Sequence, residues 1–270
     1  MSATPVLRPM RALLVVAAVL VLLAGTQLFV FTLRTQEYFA WTIANPLTAA
    51  FLGAAYWGSF VIEGLAARER VWANARSAVP SVLVFTALTL IVTFVHLEQF
   101  HLGAQFGWNT RAVTYGWIAI YALVPLLLGV VLVAQVRAPG TDPPREQPPP
   151  VWLTAVIGVH AVLLLGLGAV LLAAPTVGAR VWPWTLTPLT GRAIGAWLIG
   201  LGVAAVHALI ERDLRRVRPA AWGYVAIAVL QGIALARFPD RMQWSSPSGV
   251  IYVVVLVSMA VAGVAAVRRR

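Results

Sequence analysis

The side chains most able to do chemistry in this chain sit in one stretch, FTALTLIVTFVHLEQFHLG. Thr86, Thr89, Thr93 and His96 recur at spacings of three, four and three, which lines them along one face of a helix. Glu98 and His101 follow at once, so a hydroxyl-bearing face leads to a carboxylate and two imidazoles. Such groups can pass protons, bind a polar ligand or ligate a metal. The metal option is weak: Glu98 and His101 stand two and five residues beyond His96 and share no helix face with it, so a loop would have to gather them. A second polar set lies in ARFPDRMQW, where Arg237, Asp240 and Arg241 follow the mid-helix Gln231. Thr86, Thr89, Thr93, His96, Glu98, His101, Gln231, Arg237 and Asp240 are therefore the expected ligand-binding group, with no catalytic residue and no metal assigned.

Composition closes off other chemistries. There is no Cys, hence no disulfide, thiolate nucleophile, iron–sulfur cluster or Cys-based zinc site. Without any Lys, and with no GxxxxGK, GxGxxG or HExxH, the chain lacks the usual phosphate, Schiff-base and zinc-protease devices. His160 and His207 would differ in depth by roughly 9 Å at 1.5 Å per residue, which does not suit two axial haem ligands, and no cofactor is expected. The formal charge of +11 is spread over short segments instead of forming a stripe with stacking aromatics. Membrane lipids, not nucleic acid, are the expected partner of that charge.

The elements that must position these groups are long apolar helices. About 60% of the residues are hydrophobic and only 11% are charged, too little polar sequence to cover a soluble protein of 270 residues. Apolar runs of span length cover Arg11 to Phe31, Pro46 to Ala66, Val79 to His96, Ala112 to Val133, Trp152 to Ala173, Pro188 to Ile210, Ala221 to Arg237 and Val250 to Ala266. The first continues through Leu28 to Phe31, beyond a signal-peptide core, and is expected to be retained.

TIANPLTAAFLGA and TLTPLTGRAIGA are near copies whose prolines, Pro46 and Pro188, are 142 residues apart. Each proline suits the first helical position after a cap, Asn45 or Thr187, while Gly53 and Gly195 let a neighbouring helix approach. At the same offset Gly58 matches Gly200, Thr89 matches Gln231 and Glu98 matches Asp240. The expected fold class is an all-α integral membrane protein of eight transmembrane helices in two parallel four-helix repeats, residues 1–134 and 151–270. Residues 135–150, QVRAPGTDPPREQPPP, form a proline-rich connector expected to be extended and cytoplasmic.

With the amino terminus inside, fourteen arginines fall on the inner side, Arg268 to Arg270 among them, and six on the outer. That bias predicts a plasma-membrane protein with both termini cytoplasmic. Trp41, Trp108, Trp182, Trp184 and Trp244 are expected at the outer interface, and Trp72, Trp152 and Trp222 at the inner one.

On FAWTIANPLTAAFLGA and VWPWTLTPLTGRAIGAW the chain resembles uncharacterised multi-pass membrane proteins of Arg-rich, Lys-poor actinobacteria, a likeness that implies a plasma-membrane location and no activity. The expected function is to bind or translocate a small or amphipathic ligand from the outer side. The alternative is a non-catalytic scaffold or accessory subunit that binds another membrane protein through its helix faces. Enzyme activity is the less expected outcome.

Overall fold

The computed structural model describes residues 2–268; Met1 and two of the arginines counted above, Arg269 and Arg270, lie outside the described residues. Within them the structure is all helical, and eight helices are long and apolar enough to cross a membrane. They are α1 (Arg8–Phe29), α2 (Pro46–Arg68), α3 (Val79–Val95, whose continuous helical span begins at Trp72), α4 (Trp108–Val136), α5 (Val151–Ala173), α6 (Pro188–Glu211), α7 (Arg218–Arg237) and α8 (Pro247–Arg268). A short helix at Trp72–Ala75 and a 3-10 turn at Arg76–Ala78 lead into α3. The end of the bundle where α1 starts and α8 stops is called proximal below, and the opposite end distal.

Local chemistry sets the helix starts. The Asn45 side chain accepts from the Leu47 amide at 3.0 Å, and Pro46 takes the first position of α2. In α6 the cap is reciprocal: Thr187 accepts from the Thr190 amide while Thr190 accepts from the Thr187 amide, with Pro188 between. Neither proline removes a ladder hydrogen bond there, because first-turn amides have no intrahelical partner.

The helices pair as a ring: α1 on α2, α2 on α7, α7 on α8, α5 on α6, α6 on α3 and α3 on α4. Looser α1–α4 and α5–α8 contacts close it, and α2 meets α6 across the middle. The α3–α4 hairpin thus packs on α6 and the α7–α8 hairpin on α2, so neither chain half could keep its buried faces without the other. The α2 and α6 helices are the most buried, whereas α1, α4, α5 and α8 show side chains such as Val16, Leu127, Val162 and Val254 to the exterior, a surface suited to hydrocarbon.

Close approach depends on missing side chains. A Cβ at Gly53 would stand 2.6 Å from the Phe29 amide nitrogen of α1, and one at Gly195 would stand 2.9 Å from the Gly168 carbonyl oxygen of α5. Both obstacles are backbone, so the helices themselves would have to part. Gly64, on the same helix as Gly53, meets nothing within 4 Å. Gly53→Ala is therefore expected to lower stability by about 1–3 kcal/mol as an overpacking change, while Gly64→Ala costs nothing. Thermal midpoints of the two purified variants in one detergent check this, and equal midpoints would contradict the notch.

The proximal connector is extended but tied down along its length. Gln135 accepts from the Leu7 amide at 2.8 Å and donates to the Pro5 carbonyl at 2.9 Å. Asp213 accepts backbone hydrogen bonds from Glu146 at 2.7 Å and Gln147 at 3.2 Å, and from Arg215 and Arg216. Burial by itself would raise the Asp213 carboxyl, but these four donors together hold it below its ordinary value. Beside it, buried Glu211 pairs with Arg76 and, at 2.9 Å, with Arg216; Arg76 also reaches Asp142 of the connector at 2.7 Å.

The tryptophans correct the interface expectation in part. Trp108 and Trp244 are exposed, but Trp41, Trp182, Trp184 and Trp72 are buried. The distal loops fold back into the bundle instead of floating at its rim, and Trp184 Nε1 donates to Thr48 Oγ1 at 2.9 Å. That bond joins the two copies of the Pro-Leu-Thr motif region to one another.

Candidate functional site

The nine residues singled out above do not form one group. Thr86, Thr89 and Thr93 face inward from α3 against aromatic side chains. The Thr86 hydroxyl returns to the Val82 carbonyl at 2.8 Å, and Thr93 donates to the Thr89 carbonyl while accepting from Trp117 Nε1 at 3.0 Å. The Thr89 hydroxyl has no partner among the described residues. The space beside Thr89 and Thr93 is only about 10 Å³, at the lower limit for one water.

His96 caps the distal end of α3. Its Nε2 lies 2.7 Å from Arg192 Nη1 and accepts from α6, while Nδ1 faces the Gln99 side-chain amide at 3.2 Å. Burial and then the Arg192 charge lower its affinity for a proton, against a weaker opposite pull from exposed Glu98. His101 is fully enclosed, donating from Nδ1 to the Phe39 carbonyl at 3.0 Å and accepting at Nε2 from Thr42 at 2.9 Å. Burial lowers it too, opposed by the Phe39 bond. Both rings are spent on holding loops, which leaves neither free as a metal ligand. Glu98 and Asp240 sit in matching 3-10 turns, Leu97–Gln99 and Pro239–Arg241. Arg237 ties α7 to the end of α1 through the Phe29 carbonyl and stacks on the Phe29 and Phe238 rings.

Gln231 is different. It lines a cavity of about 500 Å³ among α2, α5, α6, α7 and α8, well within the size range of small-molecule sites. Its amide nitrogen donates to the Phe51 carbonyl at 3.1 Å and its oxygen accepts from Tyr252 at 3.0 Å. The body of the cavity is apolar, with Leu164, Leu201, Ile227, Leu256 and Met259 in its walls. Polar groups collect at its distal mouth, where Arg180, Gln243, Ser246 and Ser248 stand. On its outer flank α5 and α8 are joined by the His160–Ser258 hydrogen bond, 2.7 Å, and by the Leu153–Ala266 cluster toward the proximal end. Distal to that bond Leu163 of α5 and Ile251 of α8 border both cavity and exterior.

The space across the α2–α6 contact has no such room. Tyr56, Phe85, Trp117, Tyr121 and Trp197 fill it, with Phe85 and Trp197 rings 3.9 Å apart and the two tyrosine hydroxyls 2.6 Å apart. At the 142-residue offset of Pro46 and Pro188, the open side carries Leu198 for Tyr56, Ile227 for Phe85 and Ala55 for Trp197. Three large rings are replaced by two aliphatic side chains and a methyl group. That difference is the physical reason one side is a cavity.

Sequence reasoning missed this site apart from Gln231, because its walls are Leu, Ile and Met of the kind that fill any helix contact. The signal that could have found it is the pairwise comparison at one offset, above all Ala55 against Trp197. Comparison of the chain with protein-family models, with curated proteins and with solved structures finds no match to any of them.

Proposed function

We propose that the chain is a multi-pass plasma-membrane protein, both termini cytoplasmic, that binds an amphipathic ligand in the α5–α8 cavity from the outer side. The arginine bias supports this orientation, which makes the distal mouth the outer one. Two parallel four-helix repeats, residues 1–134 and 151–270, are supported by the pairing pattern: α1–α2, α2–α7, α7–α8 and α1–α4 recur as α5–α6, α6–α3, α3–α4 and α5–α8. One repeat position is then kept filled and the other open.

The observation that carries the ligand reading is an apolar cavity with its polar groups, Arg180 among them, at one end and with Leu163 and Ile251 bordering both it and the exterior. An apolar chain would displace little bound water from such walls, and its polar head would lie beside Arg180 and the serines. Entry between Leu163 of α5 and Ile251 of α8 would let the chain slide in from the outer leaflet.

A dansylated undecanoic acid tests this by energy transfer from the protein's tryptophans, Trp182 of the cavity wall among them. Saturable transfer at one probe per protein is expected, and transfer that rises linearly with probe in the membrane would contradict the site and favour the accessory-subunit alternative. Arg180→Ala is expected to weaken this carboxylate probe about fivefold, the size of a solvent-exposed ion pair of about 1 kcal/mol. The uncharged amide of the same probe should bind both proteins alike.

A further inference from the structure

Of nine acidic residues, Glu63 alone lies inside a long helix away from its ends. Its side chain is buried, Ser59 Oγ donates to Oε1 at 3.1 Å, and Oε2 has no partner among the described residues. No ion pair reaches it among the described residues. Glu211, equally buried, shows how this fold treats a carboxylate that stays charged: Arg76 and Arg216 bind it, and His207 lies at 3.2 Å. A lone carboxylate with one hydroxyl donor would be far more costly in this apolar setting than the neutral acid.

We infer that Glu63 is carried as the neutral carboxylic acid and forms a proton-binding site within the first half of the chain. Ser59 fixes its carbonyl oxygen, and the hydrogen on Oε2 remains free to exchange or to meet an acceptor. Tyr56, Ser59 and Glu63 are spaced three and four apart on one face of α2, so the site continues toward the Tyr56–Tyr121 hydroxyl pair. The fold does not require an acid here, since the position 142 residues later is buried Ala205 in α6.

The charged and titratable groups on the proximal parts of the neighbouring elements are few. They are Arg8 and Arg11 on α1, Arg76 ahead of α3, and Tyr121 on α4. From the other half come Arg218 and Tyr224 on α7, and His207 and Glu211 on α6. None bonds to the Glu63 carboxyl.

This inference rests on the membrane part of the proposed function and not on the ligand cavity, so probe binding can fail without touching it. Protein in liposomes is treated with a hydrophobic carbodiimide, dicyclohexylcarbodiimide, or with a water-soluble one, and adducts are located by peptide mass. The hydrophobic reagent should modify Glu63 at neutral pH, less so at strongly alkaline pH and not in Glu63→Gln, while the soluble reagent modifies exposed Glu98 but spares Glu63. The infrared band of a protonated carboxyl should be present at neutral pH and lost in Glu63→Gln. Absence of that band in the natural protein overturns the inference, as does labelling of Glu63 by the soluble reagent as readily as Glu98.

Discussion

Replacing Glu211 by Ala is expected to cost about 3 kcal/mol of stability, the range found when one partner of a buried ion pair is removed. The loss comes from what is left behind. Arg216 is nearly as buried as Glu211, and without the carboxylate its remaining contacts are the Pro143 carbonyl and, at 3.6 Å, Asp142. Among the described residues Arg76 retains only its Asp142 partner. Asp142→Ala should cost much less, because Asp142 is over a third exposed and water can replace it. The cluster joins the entry of α3 to the end of α6 and to the connector, so the same substitution should loosen residues 141–147. Thermal midpoints in detergent and proteolysis of the connector measure both effects. A Glu211→Ala protein as stable as Asp142→Ala would mean that the cluster is not what holds the proximal face.

Ala55→Trp should abolish probe binding, by a hundredfold or more, in a protein that still folds. The opposite side of the bundle already supplies the precedent, since Trp197 stands at the corresponding position and packs against Tyr56 and Phe85. The cavity of about 500 Å³ that Ala55 lines exceeds the volume of an indole. Trp197→Ala is the reverse experiment. It should empty part of the closed side at a cost of about 3–5 kcal/mol, as for other large-to-small changes at buried aromatics. Equilibrium titration of the dansylated acid, read beside the melting curve of each variant, separates occupancy from folding. Undiminished binding to a folded Ala55→Trp protein would place the probe elsewhere.

How much of this was legible in the sequence follows from what each feature is made of. Spans of about 20 apolar residues announce themselves, and Asn45-Pro46 and Thr187-Pro188 mark two helix starts within a residue. The start of α4 is less visible, because Trp108-Asn109-Thr110-Arg111 is polar yet helical, anchored by Thr110 on the Glu37 carbonyl at 2.8 Å. Trp41 and Trp184 read as interface residues because amphipathic rings usually sit there. Only the fold shows that their loops turn inward. The proximal ion cluster was half legible: Glu69-Arg70 and Glu211-Arg212 repeat at the same offset as the prolines, as do Arg76 and Arg218. The partners that matter, Arg76 with Glu211, come from different halves, and no local spacing reveals such a pair. His96 and His101 looked like chemistry because imidazoles are rare in apolar sequence, but their hydrogen bonds to Arg192, Phe39 and Thr42 spend them on structure.

The most direct test of an outward-opening ligand site uses the natural absence of Cys. Leu256→Cys places a single thiol in the cavity wall, and Thr89→Cys places one beside the filled counterpart. A small membrane-impermeant thiol reagent is applied to right-side-out vesicles, with and without saturating dansylated undecanoic acid. The expected result is labelling at position 256 from the outside, suppressed by the probe, with position 89 unreactive under both conditions. Labelling at position 256 that is absent, or that the probe leaves unchanged, would contradict a ligand site open to the outer side.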